Sequence, residues 1–500
     1  MENRNLKKDL EQLDTILKDQ GISRRDAMKM MGVSSMAALM MGGTEAEAAT
    51  SLEASSAKGH VLIIGGGLSG MATAARLRST ASNVKITVIE PNSLSTQYQP
   101  GQTLVGAGLW EKKDIIYHRD DFVPSDVTVI KEKVVTFDPK NNTVVTDKGT
   151  KVSYDYMVVA AGIQLNYGAI KGLEEVGKLY SAGDNSKAVA LMNSKGISSI
   201  YTADGSEQTW TNMQKMIAAA KSGKKQNAIF THPNTPIKCG GAPKKIMYLA
   251  NARLNEAGAD ARSNVNMHFY PNGGGMFGIK DYHTAIVDQF KARGFKWSYK
   301  HNLIAVDGDK RIATFNHHWT EKGAWDEDLE EYGVILKSEE VEVPYDFLHI
   351  TPPMQAASEI ANSPIGSSKG WVPVNKETLQ HAKFDNIFSL GDIAAVPMGK
   401  TGGSARKQYK VVVNNIISMM ESGKIPTSNK KYEGYTVCPL ITNIGTVMLA
   451  EFNWASKATG SGANAALLPL DPTQERYVWW LLKIYLLKPM TQYGMLSGKA

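Results

Sequence analysis

A short apolar run followed by a glycine-rich turn places the strongest constraint on the fold of this chain. His60 to Ile64 is apolar and β-branched, the next six residues read Gly-Gly-Gly-Leu-Ser-Gly, and a helix-like stretch follows. In such a strand, turn and helix, Gly65 permits the tight turn, Gly67 lets the backbone approach a pyrophosphate, and Gly70 lets the helix pack closely. The pattern therefore predicts an α/β dinucleotide-binding domain with phosphates at the helix N-terminus.

The second strand of this unit carries an acid at its end. Lys85 to Ile89 is followed by Glu90, and a carboxylate at this place accepts hydrogen bonds from ribose hydroxyls. We expect Glu90 and the turn, including Leu68 and Ser69, to hold the ADP half of the cofactor. The alternative for Glu90 is a solvated strand end.

Two later segments distinguish a flavin from a nicotinamide. Tyr154 to Gly162 is a buried strand that ends in Ala161 and Gly162, and Asn386 to Asp392 is a strand that ends in Gly391 and Asp392. With the glycine turn, they resemble the two-domain disulfide-reductase family of flavoproteins. The resemblance implies bound FAD, with Asp392 bonded to its ribityl chain.

The same resemblance implies the domain organisation. It predicts an α/β fold with two Rossmann-like dinucleotide-binding domains, one of them a split FAD domain around an inserted middle domain. The expected limits are a signal and linker over 1–56, FAD parts over 57–165 and 345–420, a degenerate NAD-like domain over 166–344, and a C-terminal domain with a membrane anchor over 421–500.

The middle domain lacks a second glycine turn. After the strand Gln226 to Thr231, the chain continues through Pro233, Pro236 and Pro243 with no G-x-G-x-x-G pattern. Proline fixes φ and withholds an amide donor, so this loop is poorly suited to a pyrophosphate. We infer that NAD(P)H is not the partner and that a quinone or a cytochrome exchanges electrons instead.

Cys239 lies in this proline-rich loop, beside Lys238 and before a predicted helix. A nearby cation and a helix N-terminus both favour a thiolate, although a cysteine here can also be purely structural. The segments 98–108, 233–243, 348–354 and 435–440 resemble sulfide:quinone oxidoreductases, most closely the branch that includes the mitochondrial enzymes. The resemblance implies that Cys239 is the catalytic cysteine that faces the flavin.

In that family a second cysteine follows the Gly-Asp pair, and sulfide attacks the disulfide between the two. Here that position is Ile393, which cannot form a disulfide or carry a persulfide. Cys438 matches a non-catalytic strand of the family, so we expect a free, buried thiol. A Cys239 thiolate can still accept sulfur from a polysulfide-type donor, and hydrosulfide can attack the flavin directly.

Lys400 and Thr401 precede a predicted helix that begins with Gly402. In the family this helix points its N-terminus at the pyrimidine side of the flavin, where negative charge develops on reduction. We therefore expect Lys400 to be catalytic and cofactor-binding; the alternative is a surface lysine. Thr401 and Gln99 complete the predicted cofactor site. No histidine spacing indicates a metal site.

The N-terminus has the order of an export signal. Ser23-Arg24-Arg25 resembles a twin-arginine motif, Met30 to Met41 is apolar, and Ala46-Glu47-Ala48 suits cleavage. The alternatives are an amphipathic helix or an uncleaved anchor. Export places the protein in the periplasm, attached to the outer face of the bacterial inner membrane.

The C-terminal run Tyr477 to Leu487 is aromatic and apolar but too short to span a bilayer. We expect it to lie on a membrane, with Lys483 and Lys488 reaching headgroups and residues 490–496 as a second anchor. The alternative is a core or dimer helix, so a homo-oligomer stays open.

The leading hypothesis is a flavoprotein that oxidises sulfide or a related sulfur compound and reduces membrane quinone. The alternatives are a flavocytochrome-type sulfide dehydrogenase with a cytochrome acceptor, and a non-catalytic flavoprotein that binds sulfur species or a partner. Nucleic-acid binding has no support, because the net charge is only +7 in 500 residues and no basic stripe interleaved with aromatic residues is present.

Overall fold

The computed structural model describes residues 55–92, 96–463 and 470–499, apart from the side chains of residues 96 and 97. The predicted export signal at residues 23–48 lies outside the described residues. The first part of the chain forms β1 Gly59–Ile64, α1 Leu68–Thr80, β2 Val84–Ile89, β3 Thr96–Gln97, α2 Gln102–Val105, β4 Ile116–Tyr117, β5 Val127–Ile130, β6 Val134–Asp138, β7 Thr143–Thr146, β8 Lys151–Ser153 and β9 Tyr156–Val159.

The middle of the chain carries a second set of strands and helices. It forms β10 Gln164–Asn166, β11 Lys178–Leu179, α3 Ser186–Ser194, β12 Ile197–Ser198, α4 Ala203–Lys221, β13 Gln226–His232, α5 Ala242–Glu256, α6 Ala259–Ser263, β14 Val265–Pro271, α7 Lys280–Ala292, β15 Lys296–Trp297, β16 His301–Asp307, β17 Ile312–Asp326, β18 Glu331–Pro344, β19 Phe347–His349 and β20 Met354–Gln355.

The last part of the chain returns to the first sheet and then adds a small sheet of its own. It forms α8 Ser358–Ala361, β21 Ile387–Ser389, α9 Gly402–Ser422, β22 Thr436–Asn443, β23 Thr446–Phe452, α10 Trp454–Thr459, β24 Glu475–Arg476, α11 Tyr477–Leu481 and α12 Leu487–Pro489. π-helical turns over Leu482–Leu486 and Met490–Met495 connect and extend the last two helices.

The first sheet is parallel and has the order β21-β9-β1-β2-β5. Its strands are continuous apolar runs because both faces are covered, one by α1 and α9 and the other mainly by the antiparallel strands β6, β7 and β8. Val61 to Ile63 of β1 are fully buried. The strand β21 joins from far along the chain and pairs with β9. This sheet therefore has the two-part composition expected of the split FAD domain.

The second sheet is also parallel, with the order β12-β19-β13-β14-β15. Its member β19 lies beyond residue 344, where the sequence placed the end of the middle domain, so this sheet takes up residues that were expected in the second FAD part. The two parallel sheets confirm the predicted α/β fold with two Rossmann-like domains. A long antiparallel hairpin, β17 and β18, extends from the middle domain with an exposed end.

The C-terminal run packs on the protein rather than standing apart from it. Trp479 and Trp480 are 5% and 9% exposed and belong to a cluster with Leu104, Leu249 and Leu449. Arg76 of α1 donates a hydrogen bond to the carbonyl of Gly498 at 3.2 Å. Within the described residues, no helix has both the length and the apolar character needed to cross a bilayer.

Candidate active site

A cavity of about 1550 Å³ opens at the carboxyl ends of the first sheet, where ligands bind in open parallel sheets. Every predicted cofactor residue except Gly70 lines it. These residues are Gly65, Gly67, Leu68, Ser69, Glu90, Gln99, Ala161, Gly162, Gly391, Asp392, Lys400 and Thr401. Twelve basic and four acidic side chains line the same cavity, so it favours anions such as a pyrophosphate.

The glycine turn has the geometry that a dinucleotide requires. Gly65 adopts φ 103°, and a Cβ there would lie 2.5 Å from the carbonyl oxygen of Ala160. A Cβ on Gly70 would overlap the carbonyl oxygen of Gly65, which explains why Gly70 packs behind the turn instead of lining the cavity. The space above Gly67 is open, and no side chain caps α1. The turn and the helix N-terminus thus form a cradle of the right kind for phosphates.

We expect Gly65→Ala to reduce the flavin content of the purified protein severely. The new methyl group meets backbone atoms of residues 160 and 161, and the positive φ adds about 1–3 kcal/mol of strain for a residue with a Cβ. The measurement is the ratio of flavin to protein absorbance. Gly149→Ala is the matched control, because Gly149 also has positive φ but nothing within 4 Å of its Cβ position. Equal flavin content in the two variants would contradict the assignment.

Glu90 is held at the cavity wall by backbone amides. Its carboxylate accepts hydrogen bonds from the amide of Gly66 at 2.8 Å and from the amide of Asn92 at 2.9 Å. The side chain is therefore fixed at the end of β2 and is not a freely solvated strand end. This position fits the predicted ribose contact.

The Gly-Asp segment and the start of α9 form the opposite wall. Gly391 adopts φ 74° and its amide donates to the Gln408 side chain at 2.8 Å. Burial raises the pKa of Asp392, while Lys238 and Lys400 act in the other direction. Thr401 caps α9 by accepting a hydrogen bond from the amide of Ser404.

Lys400 is not a surface lysine. Its ammonium donates to the carbonyl oxygens of Asp392 and Ala394 and lies 4.3 Å from the centre of the Trp371 ring. Burial lowers its pKa to about 8, and Asp392 opposes this. Lys400 therefore fixes the Gly-Asp turn and adds positive charge to the cavity.

Cys239 lies in the same cavity, in the loop between β13 and α5. Its amide donates to the carbonyl of Lys400 at 3.0 Å, which ties the middle domain to the flavin side of the site. Cys239 also adopts φ 51°, an unfavourable backbone conformation for a residue with a Cβ. Such strain persists where the surrounding structure holds a functional residue in place.

A lysine cluster accompanies this thiol. The Nζ of Lys245 lies 3.4 Å from the Cys239 sulfur, and the Nζ of Lys483 donates to the Pro100 carbonyl. A hydrogen bond from Cys438 and the charges of Lys245 and Lys483 outweigh burial and hold the pKa of Cys239 well below its usual range. These surroundings favour the thiolate form of Cys239, in the same direction as the cation that the sequence places beside it.

The prediction for Lys483 was wrong. This side chain is 1% exposed and points into the cavity, so it does not reach lipid headgroups. Burial, followed by the charge of Lys245, lowers its pKa to about 7. The sequence also gave no role to Lys245, which is 4% exposed, whereas Lys238, also 4% exposed, was expected beside the thiol. The sequence did contain a sign that Lys245 is buried, because the helix residues that follow it, 246–250, are all apolar or aromatic.

The two remaining positions of interest differ from what the family pattern implies. Ile393 is fully buried in a core with Ile64, Val372 and Ile387, and it is not among the described residues that line the cavity. Cys438 is a free, buried thiol, yet it does line the cavity, against the loop that carries Cys239.

Comparison with known proteins decides the family. A protein from Mus musculus named "Sulfide:quinone oxidoreductase, mitochondrial" is 35% identical over 446 residues, which cover 89% of this chain and 88% of that protein. The chain belongs to the sulfide:quinone oxidoreductase family. A Dictyostelium discoideum protein of the same name is also 35% identical and covers 88% of this chain and 86% of its own length.

Two further matches agree with this family. The family model for pyridine nucleotide-disulphide oxidoreductases matches residues 59–199. The crystal structure of the sulfide:quinone oxidoreductase from Aquifex aeolicus superposes with a TM-score of 0.64 at 21% identity, covering 89% of this chain and 92% of that one. That structure shows the shared fold. As a member of this family, the chain is an FAD-dependent oxidoreductase, and the cavity described above fits FAD.

Proposed function

We propose that this protein oxidises sulfide, or a related sulfur compound such as a polysulfide, and passes the two electrons through FAD to a membrane quinone. One observation carries the proposal: the Cys239 thiolate opens into the cavity that the flavin-binding residues form. The names of the mouse and Dictyostelium relatives agree with this donor and this acceptor.

The buried lysines near Cys239 make the cavity favourable for an anionic sulfur donor. Lys238, Lys245 and Lys483 are all nearly buried, and all line the cavity near Cys239. Burial lowers the pKa of Lys238 to about 8. For Lys245, burial disfavours the charge, but the neighbouring cysteine sulfurs raise its pKa above the ordinary value. Hydrosulfide and polysulfide are anions, so this surface attracts them to the thiolate.

The flavin wall is built to stabilise negative charge. FAD, when bound, supplies the two-electron carrier between the sulfur donor and the acceptor. On this wall the N-terminus of α9 and the Lys400 ammonium provide positive potential. The charges of Lys238 and Lys400 favour the ionised carboxylate of Asp392 and oppose the burial that raises its pKa.

The C-terminal helices favour a lipid-soluble acceptor over a cytochrome. Trp479, Leu482, Leu487 and Met490 also line the cavity and add apolar surface to its wall. Tyr493 is 67% exposed and lies beside it. A quinone ring and its isoprenoid chain fit such an entrance, and the exposed apolar edge suits peripheral attachment to a bilayer.

Two further parts of the proposal concern the electron partner and the cellular location. The absence of NAD(P)H as partner rests on the loop between β13 and α5, which has no glycine turn and carries Cys239 instead. Placement in the periplasm rests on the twin-arginine-like residues Ser23 to Arg25 alone, and the relatives are named as mitochondrial. A homo-oligomer is compatible with the chain but has no specific support.

The test of this function compares electron donors and acceptors. Purified full-length protein is mixed anaerobically with sulfide, polysulfide or NADH, and with a short-chain quinone or cytochrome c as acceptor. We expect quinone reduction with a sulfur donor and none with NADH. Reduction of cytochrome c without quinone would favour the flavocytochrome alternative, and no turnover with either sulfur donor would contradict the proposal.

A further inference from the structure

Cys438 and Cys239 come from distant parts of the chain but meet at one point of the cavity. Cys438 lies on β22, where it pairs with Ala450 of β23, and it is 5% exposed. The helix α5, which follows Cys239, packs against β22. As a result, both side chains line the cavity, and the Cys438 sulfur lies against the loop that carries Cys239, where each cysteine shifts the pKa of the other.

The backbone around Cys239 is shaped to bring the two sulfurs together. A Cβ on Gly241 would lie 2.5 Å from the Cys438 sulfur, so only glycine leaves room for that sulfur against the loop. Cys239 itself adopts φ 51°, which turns the chain sharply just before α5. The strained cysteine and the required glycine both serve the approach of β22.

The residue that corresponds to the family's second cysteine cannot take part. Ile393 has no thiol and packs in the core of the first sheet. Cys239 and Cys438 are the two cysteines of the whole chain, and both line the same cavity. A sulfur pair is therefore present in the site, although the family pattern places it elsewhere.

We propose that Cys239 and Cys438 form a reversible disulfide, and that this disulfide accepts the sulfur of hydrosulfide at Cys438. This inference deepens the proposed function and rests on it. Hydrosulfide attacks the Cys438 sulfur, the bond between the two cysteines breaks, and the products are a Cys438 persulfide and a Cys239 thiolate. After the persulfide sulfur passes to a thiol or sulfide acceptor, oxidation of the two thiols releases two electrons and two protons, and FAD supplies the oxidant.

The surroundings decide which sulfur is attacked. The better leaving group in thiol–disulfide exchange is the thiol of lower pKa. The Cys438 hydrogen bond and the ammonium groups of Lys245 and Lys483 lower the pKa of Cys239. The same hydrogen bond, together with burial, raises the pKa of Cys438. Cys239 therefore leaves as a stabilised thiolate beside Lys245, and Cys438 keeps the added sulfur.

The test uses the full-length flavoprotein and the fact that it has two cysteines. The reduced protein is treated with diamide as oxidant, alkylated, digested and mapped by mass spectrometry. We expect a peptide pair joined through Cys239 and Cys438, with the loss of two hydrogen masses from the intact monomer. Sulfide added to the oxidised protein should then place one extra sulfur on Cys438.

Variants separate this inference from the proposed function. We expect Cys438→Ser to abolish the cross-link and to lower sulfide-dependent quinone reduction by about 100-fold or more. Ala450→Ser is the matched control, because it places a hydroxyl at the same level of the sheet and keeps both thiols. Full activity in Cys438→Ser, or a free Cys438 in wild-type protein that oxidises sulfide, would overturn the inference and leave the proposed function standing. A cross-link that forms but does not react with sulfide would overturn the sulfur-accepting step, whereas only the absence of turnover with both sulfide and polysulfide contradicts the proposed function.

Discussion

Replacing Cys239 by serine is expected to lower sulfide-dependent quinone reduction by about 1,000-fold or more, because removing a nucleophile usually eliminates most of an enzyme's catalysis. A serine hydroxyl is not ionised at neutral pH, cannot form a disulfide and does not accept sulfur. The flavin content should stay at the wild-type value, since the glycine turn, Glu90 and Gly391 do not depend on the thiol. Steady-state quinone reduction and the flavin-to-protein ratio measure the two quantities.

The control for this variant checks the backbone as well as the side chain. Cys239 adopts φ 51°, so Cys239→Gly removes the thiol while it relieves the strain. It should lose activity as completely as the serine variant. An unchanged rate in either variant would remove the thiolate from the mechanism and favour direct attack of hydrosulfide on the flavin.

Lys245→Gln is expected to shift the pH dependence of sulfide oxidation to higher pH. The ammonium of Lys245 lies 3.4 Å from the Cys239 sulfur and helps to lower the pKa of that thiol. Without this charge the thiol holds its proton to higher pH, so the thiolate fraction falls at neutral pH. A rise of about one pKa unit corresponds to about a 10-fold loss of thiolate at pH values below the original pKa, and to a smaller loss above it. The loss should disappear at alkaline pH, and rates measured across the pH range check this.

The neighbouring Lys483 affects how large this pH shift will be. Lys245 contributes to the low pKa of Lys483, so its removal lets Lys483 keep its proton to higher pH and partly compensate. Lys221→Gln is the matched control, because Lys221 is exposed at the end of α4. The same pH shift in both variants would show that net charge, and not the local contact, is responsible. A loss that is equal at all pH values would contradict a role in ionising Cys239.

The cofactor site was predictable from the sequence because its determinants are local. Gly65, Gly67 and Gly70 act within one turn, and their spacing alone encodes a tight turn and a close helix. The Gly391-Asp392 pair is likewise recognised from its local position, directly after a strand. The parallel order of the first sheet then brings these strand ends to one edge, as the α/β pattern requires.

The sulfur site was predictable only in part because its determinants are not local. Cys438 reaches Cys239 through the packing of α5 on β22, and no spacing in the sequence encodes that contact. Lys483 was misread for a related reason. A lysine in an aromatic, apolar run is typical of a membrane surface, whereas here the run folds back onto the cavity and the lysine turns inward.

The surroundings of Ile393 also could not be predicted from local sequence. The family pattern predicts which residue follows the Gly-Asp pair, and in this chain that residue packs into the core with Ile387 and Val372. An isoleucine there is consistent with a site that has moved its second sulfur to β22. The packing of three separate segments, and not any one motif, determines which residues face the flavin.

The most direct test of the central claim is anaerobic mixing of the oxidised flavoprotein with sulfide while the absorption of the flavin is followed. The account predicts that sulfide bleaches the oxidised flavin band of the wild-type protein, that added quinone restores it, and that neither change occurs in Cys239→Ser. A flavin that stays oxidised in the presence of both sulfide and polysulfide would contradict the claim that this protein is a sulfur-oxidising enzyme.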